Sequence, residues 1–309
     1  MSHLEFVSFA STDRLKLPGL LYTPAKPTQK AAIWLHGMGD NAVFYKPELI
    51  NALGQALANK GIALLAFNNR GAHNAKSLKF IDEALPEEDR RFQGGTNYEL
   101  ISDAIKDIDG SVAYLKGKGF STFYLLGHST GASKVCVYNE KASTTSFNKY
   151  VLAGPGDDNG LLFTELGEKK FWQALKYAAQ SIEFKLLHIM PKYTGLYPFS
   201  AEAAYDLLNP DGDRNAFPFY EATVERLGKK RLFDEYQNIR IPTLVIFGEN
   251  DEYTSTAGGT ESTLGLFMKY TTNDMLKRTD FTTVAGGNHS FHGVEVDFAR
   301  KVADWLADE

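Results

Sequence analysis

The sequence predicts an α/β protein, a mostly parallel central sheet of about eight strands flanked by helices, with a helical insertion after the sixth strand. Three observations carry this. Short β-branched or apolar runs alternate with amphipathic stretches of helical length through the first half of the chain. A glycine-bounded turn, GHSTG at 127–131, links one apolar run directly to a helical pattern. The texture then changes over about 161–236, where helical segments carry many aromatic residues, before strand-like runs resume.

In chain order, 5–10 and 16–22 flank Ser11-Thr12-Asp13 and read as an antiparallel hairpin at one edge. The apolar runs 31–35, 62–67 and 123–126 read as buried parallel strands, because strands covered on both faces lose the polar alternation of a half-exposed one. Between them, 47–59 places Leu49, Ile50, Leu53 and Leu57 on one helical face. The stretch 98–116 does the same with Leu100, Ile101, Ile105, Ile108, Val112 and Leu115. A helix is expected from Ser129 to about Glu140, and 150–153 continues the strand pattern until Gly154-Pro155-Gly156 and the Asp and Asn residues after it break it. The sheet resumes with 243–247 and 281–284, and 292–306 closes the chain as a helix. The expected organisation is a core of 1–154 and 236–309 with a helical cap at 155–235.

Composition narrows the function. The 309 residues are 43% hydrophobic and 23% charged, enough apolar material for a sizeable core. A net charge of −5, with Lys and Arg scattered among Asp and Glu, offers no basic patch for phosphates, so nucleic acid is not an expected partner. No run approaches the ~20 apolar residues of a membrane span, and the first residues lack the charged-then-apolar pattern of a secretory signal. A cytoplasmic protein is expected. The single cysteine, Cys136, cannot form an internal disulfide and reads as an inert core residue.

The chemistry centres on Ser129. With 27 glycines in the chain a chance G-x-S-x-G is not rare, so the strand-turn-helix setting is what gives this one weight. Such a sharp turn strains the serine backbone, and Gly127 and Gly131 remove side chains that would collide as strand and helix approach. A serine hydroxyl needs a base, and the base needs an acid that fixes its tautomer. The loop after 281–284 contains His289, and the loop after 243–247 contains Asp251. Ser129, Asp251 and His289 follow the order Ser, Asp, His, each just past the C-terminal end of a strand. Rivals remain for two places: Glu249, Glu252, Asp157 or Asp158 for the acid, and His292 for the base. His128 reads as a packed histidine. Two backbone amides are needed for an oxyanion, and those of Thr130 and of Met38 in His36-Gly37-Met38-Gly39-Asp40 are the candidates. His36, Asn69 and Arg70, on loops after the strands 31–35 and 62–67, are expected to border the cleft as candidate substrate contacts, with holding the 68–73 loop the equal alternative for the polar groups of Asn69 and Arg70.

HGMGD at 36–40, GHSTG at 127–131, GEND at 248–251 and NHS at 288–290 together resemble the α/β-hydrolase superfamily across nearly the whole chain. The resemblance implies a Ser-His-Asp site, no cofactor, a cap that selects substrate, and a small-molecule ester or related acyl compound as partner. Gly94-Gly95-Thr96 and NPDGDRNAFPF at 209–219, with GHSTG, are similar to the branch that includes fungal siderophore-ester hydrolases, which implies bulky esters.

Other classes fit less well. Gly37-Met38-Gly39-Asp40-Asn41-Ala42 matches a dinucleotide-binding G-x-G-x-x-A, but the following strand ends on Phe67-Asn68-Asn69 rather than on an acid for the ribose. Dehalogenases and epoxide hydrolases need a carboxylate nucleophile where this chain has serine. The Asp and Asn clusters at 156–160 and 209–215 lack the full ligand series of a calcium loop, so no metal is assigned. A catalytically silent scaffold that binds a ligand or protein is the alternative to an enzyme.

Overall fold

The computed structural model describes residues 2–82, 84, 86–142, 147–185 and 189–308. Its main sheet has eight strands in the order β1-β2-β4-β3-β7-β8-β9-β10. They are β1 (His3–Ala10), β2 (Lys16–Thr23), β3 (Lys30–Leu35), β4 (Ala63–Phe67), β7 (Thr122–His128), β8 (Lys149–Ala153), β9 (Thr243–Gly248) and β10 (Thr279–Val284). β1 pairs with β2 and β2 with β4 antiparallel, and every later pairing is parallel. All eight expected strands are present to within two residues at either end.

Alternate strand residues face opposite sides, and each side buries its own helices. Ile33, Leu35, Leu65, Phe67, Leu125 and Val245 pack on α2 (Ala104–Gly117), α3 (Thr130–Lys141) and α9 (Thr260–Tyr270). Ala32, Trp34, Leu64, Ala66, Leu126 and Ile246 pack on α1 (Pro47–Asn59) and α11 (Glu295–Ala307). Pro47 opens α1, where its fixed φ suits the first helical position. Cys136 is fully buried on α3, and burial pushes its thiol well up, in keeping with an inert core residue.

Two helix boundaries differ from the periodicity. The chain at 98–100 is not helical: Leu100 is extended, a 3₁₀ turn spans Ile101–Asp103, and α2 starts only at Ala104. The Ile101 N–H donates to the Asp206 carboxylate at 3.1 Å, a partner more than a hundred residues away. The last helix begins at Glu295 rather than 292, because Phe291 turns inward to stack on Phe298 at 4.1 Å and Gly293 takes φ +80°. A small hairpin, β5 (Lys76–Lys79) with β6 (Arg91–Gly94), has no counterpart in the sequence reading. Its strands are four residues long and carry too few apolar positions to show a period.

Between β8 and β9 lie α4 (Asp158–Leu166), α5 (Glu168–Phe184), α6 (Ala201–Leu208), α7 (Phe219–Thr223) and α8 (Asp234–Gln237). Of the 155–235 stretch, 186–188 fall outside the described residues. The helices α4 to α6 close on an apolar cluster of their own, including Phe163, Phe171, Ala174, Met190 and Leu208. Phe217, Phe219, Phe233 and Tyr236 instead join the cluster under the sheet. The short helix α10 (Asn273–Leu276) precedes β10. Among the described residues no helix is long and apolar enough to cross a membrane.

Candidate active site

The turn at Ser129 joins β7 to α3 with a backbone of φ 58° and ψ −129°, a conformation that costs a non-glycine residue of order 1–3 kcal/mol. The cost is met by close packing on both sides. A Cβ at Gly127 would lie 2.2 Å from the Gly131 carbonyl oxygen, and one at Gly131 would lie 2.3 Å from that of Leu35, so the helix could not approach the sheet with larger residues there. The Ser129 N–H donates to the Ala153 carbonyl at 2.9 Å, tying the turn to β8. Ser129 is thereby held half-exposed in a cavity of about 220 Å³ that Met38, Thr130, Asp158, Tyr253 and His289 also line.

His289, which lines this cavity, meets Asp251 from a separate strand end. Nδ1 of His289 is 2.9 Å from Oδ1 and 3.0 Å from Oδ2 of Asp251, and both side chains are buried. An ionised carboxylate only accepts, so Nδ1 carries the hydrogen and Nε2 is left as the basic nitrogen. Asp251 is itself fixed, since its Oδ1 accepts the Tyr253 N–H at 3.0 Å and its carbonyl accepts the Thr254 hydroxyl at 2.6 Å.

The rival acids have other partners. Glu252 accepts the His289 backbone N–H at 2.9 Å and Glu249 accepts that of Gly286 at 2.7 Å, so both fasten the histidine loop rather than its ring. Asp158 accepts the Thr130 hydroxyl at 3.2 Å. His292, the rival base, is 86% exposed and faces Glu295. His128 is packed as expected, stacked on Trp34, but it has a further task that adjacency to Ser129 did not reveal. Its Nε2–H donates to the His289 carbonyl at 2.8 Å, while burial, with Lys46 and His289 nearby, holds its imidazole well below the usual range and therefore neutral.

His36, Asn69 and Arg70 are all buried, which for Asn69 and Arg70 is the loop-holding alternative and for His36 departs from the expected substrate contact. His36 is 2% exposed, donating from Nδ1 to the Gly37 carbonyl at 2.9 Å and accepting at Nε2 from the Asn69 N–H at 3.1 Å. Burial and the Lys134 ammonium hold it down at about 3. Asn69 accepts the Gly71 N–H at 2.9 Å. The Arg70 guanidinium, 1% exposed, is spent on Asp107 at 2.7 Å and Asp13 at 2.9 Å. These side chains tie the loop after β4 to the loop after β3, to α2 and to the β1–β2 turn, and buried polar groups there are bonded as burial requires.

One buried pair sits behind the elbow. The Lys134 ammonium on α3 is 2.6 Å from the Glu99 carboxylate, both fully removed from water. Removing one member of such a pair strands the other, so Lys134→Met is expected to cost about 3–5 kcal/mol. A lowered midpoint in urea checks this, with most of the loss recovered in the Glu99→Gln/Lys134→Met double variant. An unchanged midpoint in the single variant would refute it.

Asp157 closes the first turn of α4, accepting N–H groups from Gly160 at 2.8 Å and Tyr220 at 2.6 Å. Burial outweighs these bonds and pushes its carboxyl up to about 7. Between the ordinary carboxylate range and about 7 the folded chain therefore holds a proton that the unfolded chain releases, and stability falls as pH rises through that window. Asp157→Asn, neutral throughout, is expected to gain in Tm relative to the wild type between about pH 5 and pH 8. An equal Tm difference at both ends of the range would count against it.

A family model described as serine aminopeptidase, S33, matches residues 26–293. No curated protein matches the sequence. Among solved structures, the chain is similar to Est1E from Butyrivibrio proteoclasticus with ferulic acid bound, at 16% identity and a TM-score of 0.61 over 96% of this chain and 97% of that one. It is similar to the α/β hydrolase GrgF from Penicillium sp. sh18, at 15% identity and a TM-score of 0.62 over 98% of each chain. It is also similar to a soluble variant of monoglyceride lipase from Saccharomyces cerevisiae in complex with a substrate analogue, at 14% identity and a TM-score of 0.59 over 96% of this chain and 93% of that one. At these identities the likeness is one of fold.

Proposed function

Because the chain belongs to the serine aminopeptidase S33 family and has the α/β-hydrolase fold, we propose that it is a serine hydrolase that cleaves a carboxylic ester through Ser129, His289 and Asp251. The observation that carries this reading is the buried Asp251 to Nδ1 bond of 2.9 Å, which leaves Nε2 as the base beside the cavity that the strained, half-buried Ser129 also lines. His289 takes the hydroxyl proton as Ser129 Oγ bonds to the acyl carbon. The Met38 and Thr130 amides hold the oxyanion, an assignment supported by both residues lining that cavity. The carbon–oxygen bond to the alcohol then breaks, with Nε2 returning the proton to the departing oxygen. Water repeats the sequence on the acyl-enzyme. No step calls on a cofactor.

The stretch 155–235 serves in this reading as the substrate-selecting cap. Its support is local: Gly156 and Asp158, at its start, line the Ser129 cavity, and α4 to α6 have a core separate from the sheet. The family's description gives an amide substrate a place as second reading, and the carboxylates of Asp158 and Glu252 in the cavity are groups that a substrate amine could meet.

The test compares p-nitrophenyl acetate and butyrate, a bulky aromatic ester and an aminoacyl p-nitroanilide, with fluorophosphonate labelling in parallel. Faster turnover of the esters together with labelling at Ser129 is expected. Preference for the anilide would move the assignment to aminopeptidase. A folded protein that neither labels nor turns over any of them would be a silent scaffold.

A further inference from the structure

A second depression, of about 500 Å³, opens beside the Ser129 cavity, and Tyr253 lines both. Its walls are Leu161 and Thr164 of α4, Tyr220 and Val224 at α7, and Thr256 of the 3₁₀ turn Glu252–Ala257 that also contains Tyr253. The walls are joined to each other. Asp157 at the start of α4 accepts the Tyr220 N–H at 2.6 Å, and the Thr223 hydroxyl of α7 donates to the Thr256 carbonyl at 3.1 Å. The groove is thus built by bonded elements rather than left between loose ones. It also exposes apolar surface, Val224 being 63% and Tyr253 46% accessible.

The two spaces differ in chemistry. Asp40, Lys46, Asp158 and Glu252 face the Ser129 cavity, whereas the groove presents leucine, valine and two tyrosine rings beside Thr164, Ser255 and Thr256, with Glu165 as its charged residue. Tyr253 is the partition. Its ring lies against the His289 ring at 4.3 Å, and its backbone N–H is bonded to Asp251, so its place is set by the base and acid themselves. A general acid must reach the oxygen it protonates, so the leaving alcohol departs on the His289 side. That side leads past Tyr253 into the groove.

We infer that the groove between α4, α7 and the 252–257 turn receives a hydrophobic leaving alcohol, and that Tyr253 and Val224 determine alcohol specificity; this rests on the ester-hydrolase reading above. The substrate class is an ester joining a compact acyl group to an alkyl or aryl alcohol of several carbons. Burying three further methylenes favours binding enough to raise kcat/KM on the order of tenfold or more from methyl to butyl acetate. 2-Phenylethyl acetate is expected to gain at least as much.

The experiment measures kcat/KM on methyl, butyl and 2-phenylethyl acetates, and on ethyl acetate and ethyl hexanoate, for the wild type, Val224→Asp and Val224→Leu. The butyl-to-methyl ratio is expected to fall to near one in Val224→Asp and to persist in Val224→Leu. A ratio near one in the wild type, a ratio unchanged in Val224→Asp, or a gain that follows acyl length instead overturns the inference. If Ser129 labels with fluorophosphonate and the alcohol series is flat, the inference alone fails. If nothing labels and no ester turns over, it falls with the reading beneath it.

Discussion

Ser129→Ala is expected to lose ~10⁴-fold or more in kcat on p-nitrophenyl esters, together with all fluorophosphonate labelling, while keeping the native circular dichroism spectrum. The separation of activity from folding follows from the geometry of the turn. Alanine retains the Cβ, so the strain at φ 58° is neither relieved nor increased. The contacts that hold the turn are made by the backbone: the Ser129 N–H to Ala153 and the approach of α3 to β7 at Gly127 and Gly131. What is lost is the oxygen to which the proposed mechanism gives the attack on carbon. Wild-type rates in a folded variant would remove Ser129 from the mechanism, and the Asp251 and His289 pair would then need another substrate for its proton transfer.

Asp251→Asn is the second large effect, expected at about 10⁴-fold in kcat with little change in fold. Oδ1 of Asp251 serves both the Tyr253 N–H and Nδ1 of His289, and Oδ2 lies 3.0 Å from the same Nδ1. An amide whose oxygen stays on Tyr253 turns its NH₂ toward Nδ1, favouring the tautomer with hydrogen on Nε2, which cannot take the serine proton. In the proposed mechanism the imidazolium formed during attack also loses its counter-charge. Steady-state kinetics with a structure or spectrum of the variant checks both points. Should Asp251→Asn keep more than a small share of activity, the acid is another carboxylate, and Asp158, in the same cavity, is the one to replace next.

Much of this arrangement is legible in the sequence. The strands of the main sheet, the elbow and the order of Ser129, Asp251 and His289 follow from period, turn residues and position after a strand, all signals that act over a few neighbouring residues. The assignment of Cys136 to the core and of His128 to packing rests on the same local logic. The small hairpin β5–β6 escaped because strands of four residues give no period to read.

The polar residues are less legible for a different reason. His36, Asn69 and Arg70 follow strand ends, where open α/β sheets bind their ligands, so position alone leaves substrate contact and loop-holding both open. In the fold they are buried against partners far along the chain, Asn69 for His36 and Asp13 and Asp107 for Arg70. The sequence marks His128 only as a packed residue, yet it holds the carbonyl of a histidine 161 residues later.

By itself, then, the sequence determined the α/β sheet and its helices, the strained serine turn and the strand ends that carry Asp251 and His289, because hydrophobic period and backbone sterics are properties of neighbouring residues. Only the tertiary structure decided which carboxylate faces His289, which polar side chains are wall rather than site, and that Tyr253 stands between a charged cavity and an apolar groove. A polar side chain can bond to whatever the fold brings within about 3 Å of it, and that partner is set by the packing of distant segments, not by the residues beside it.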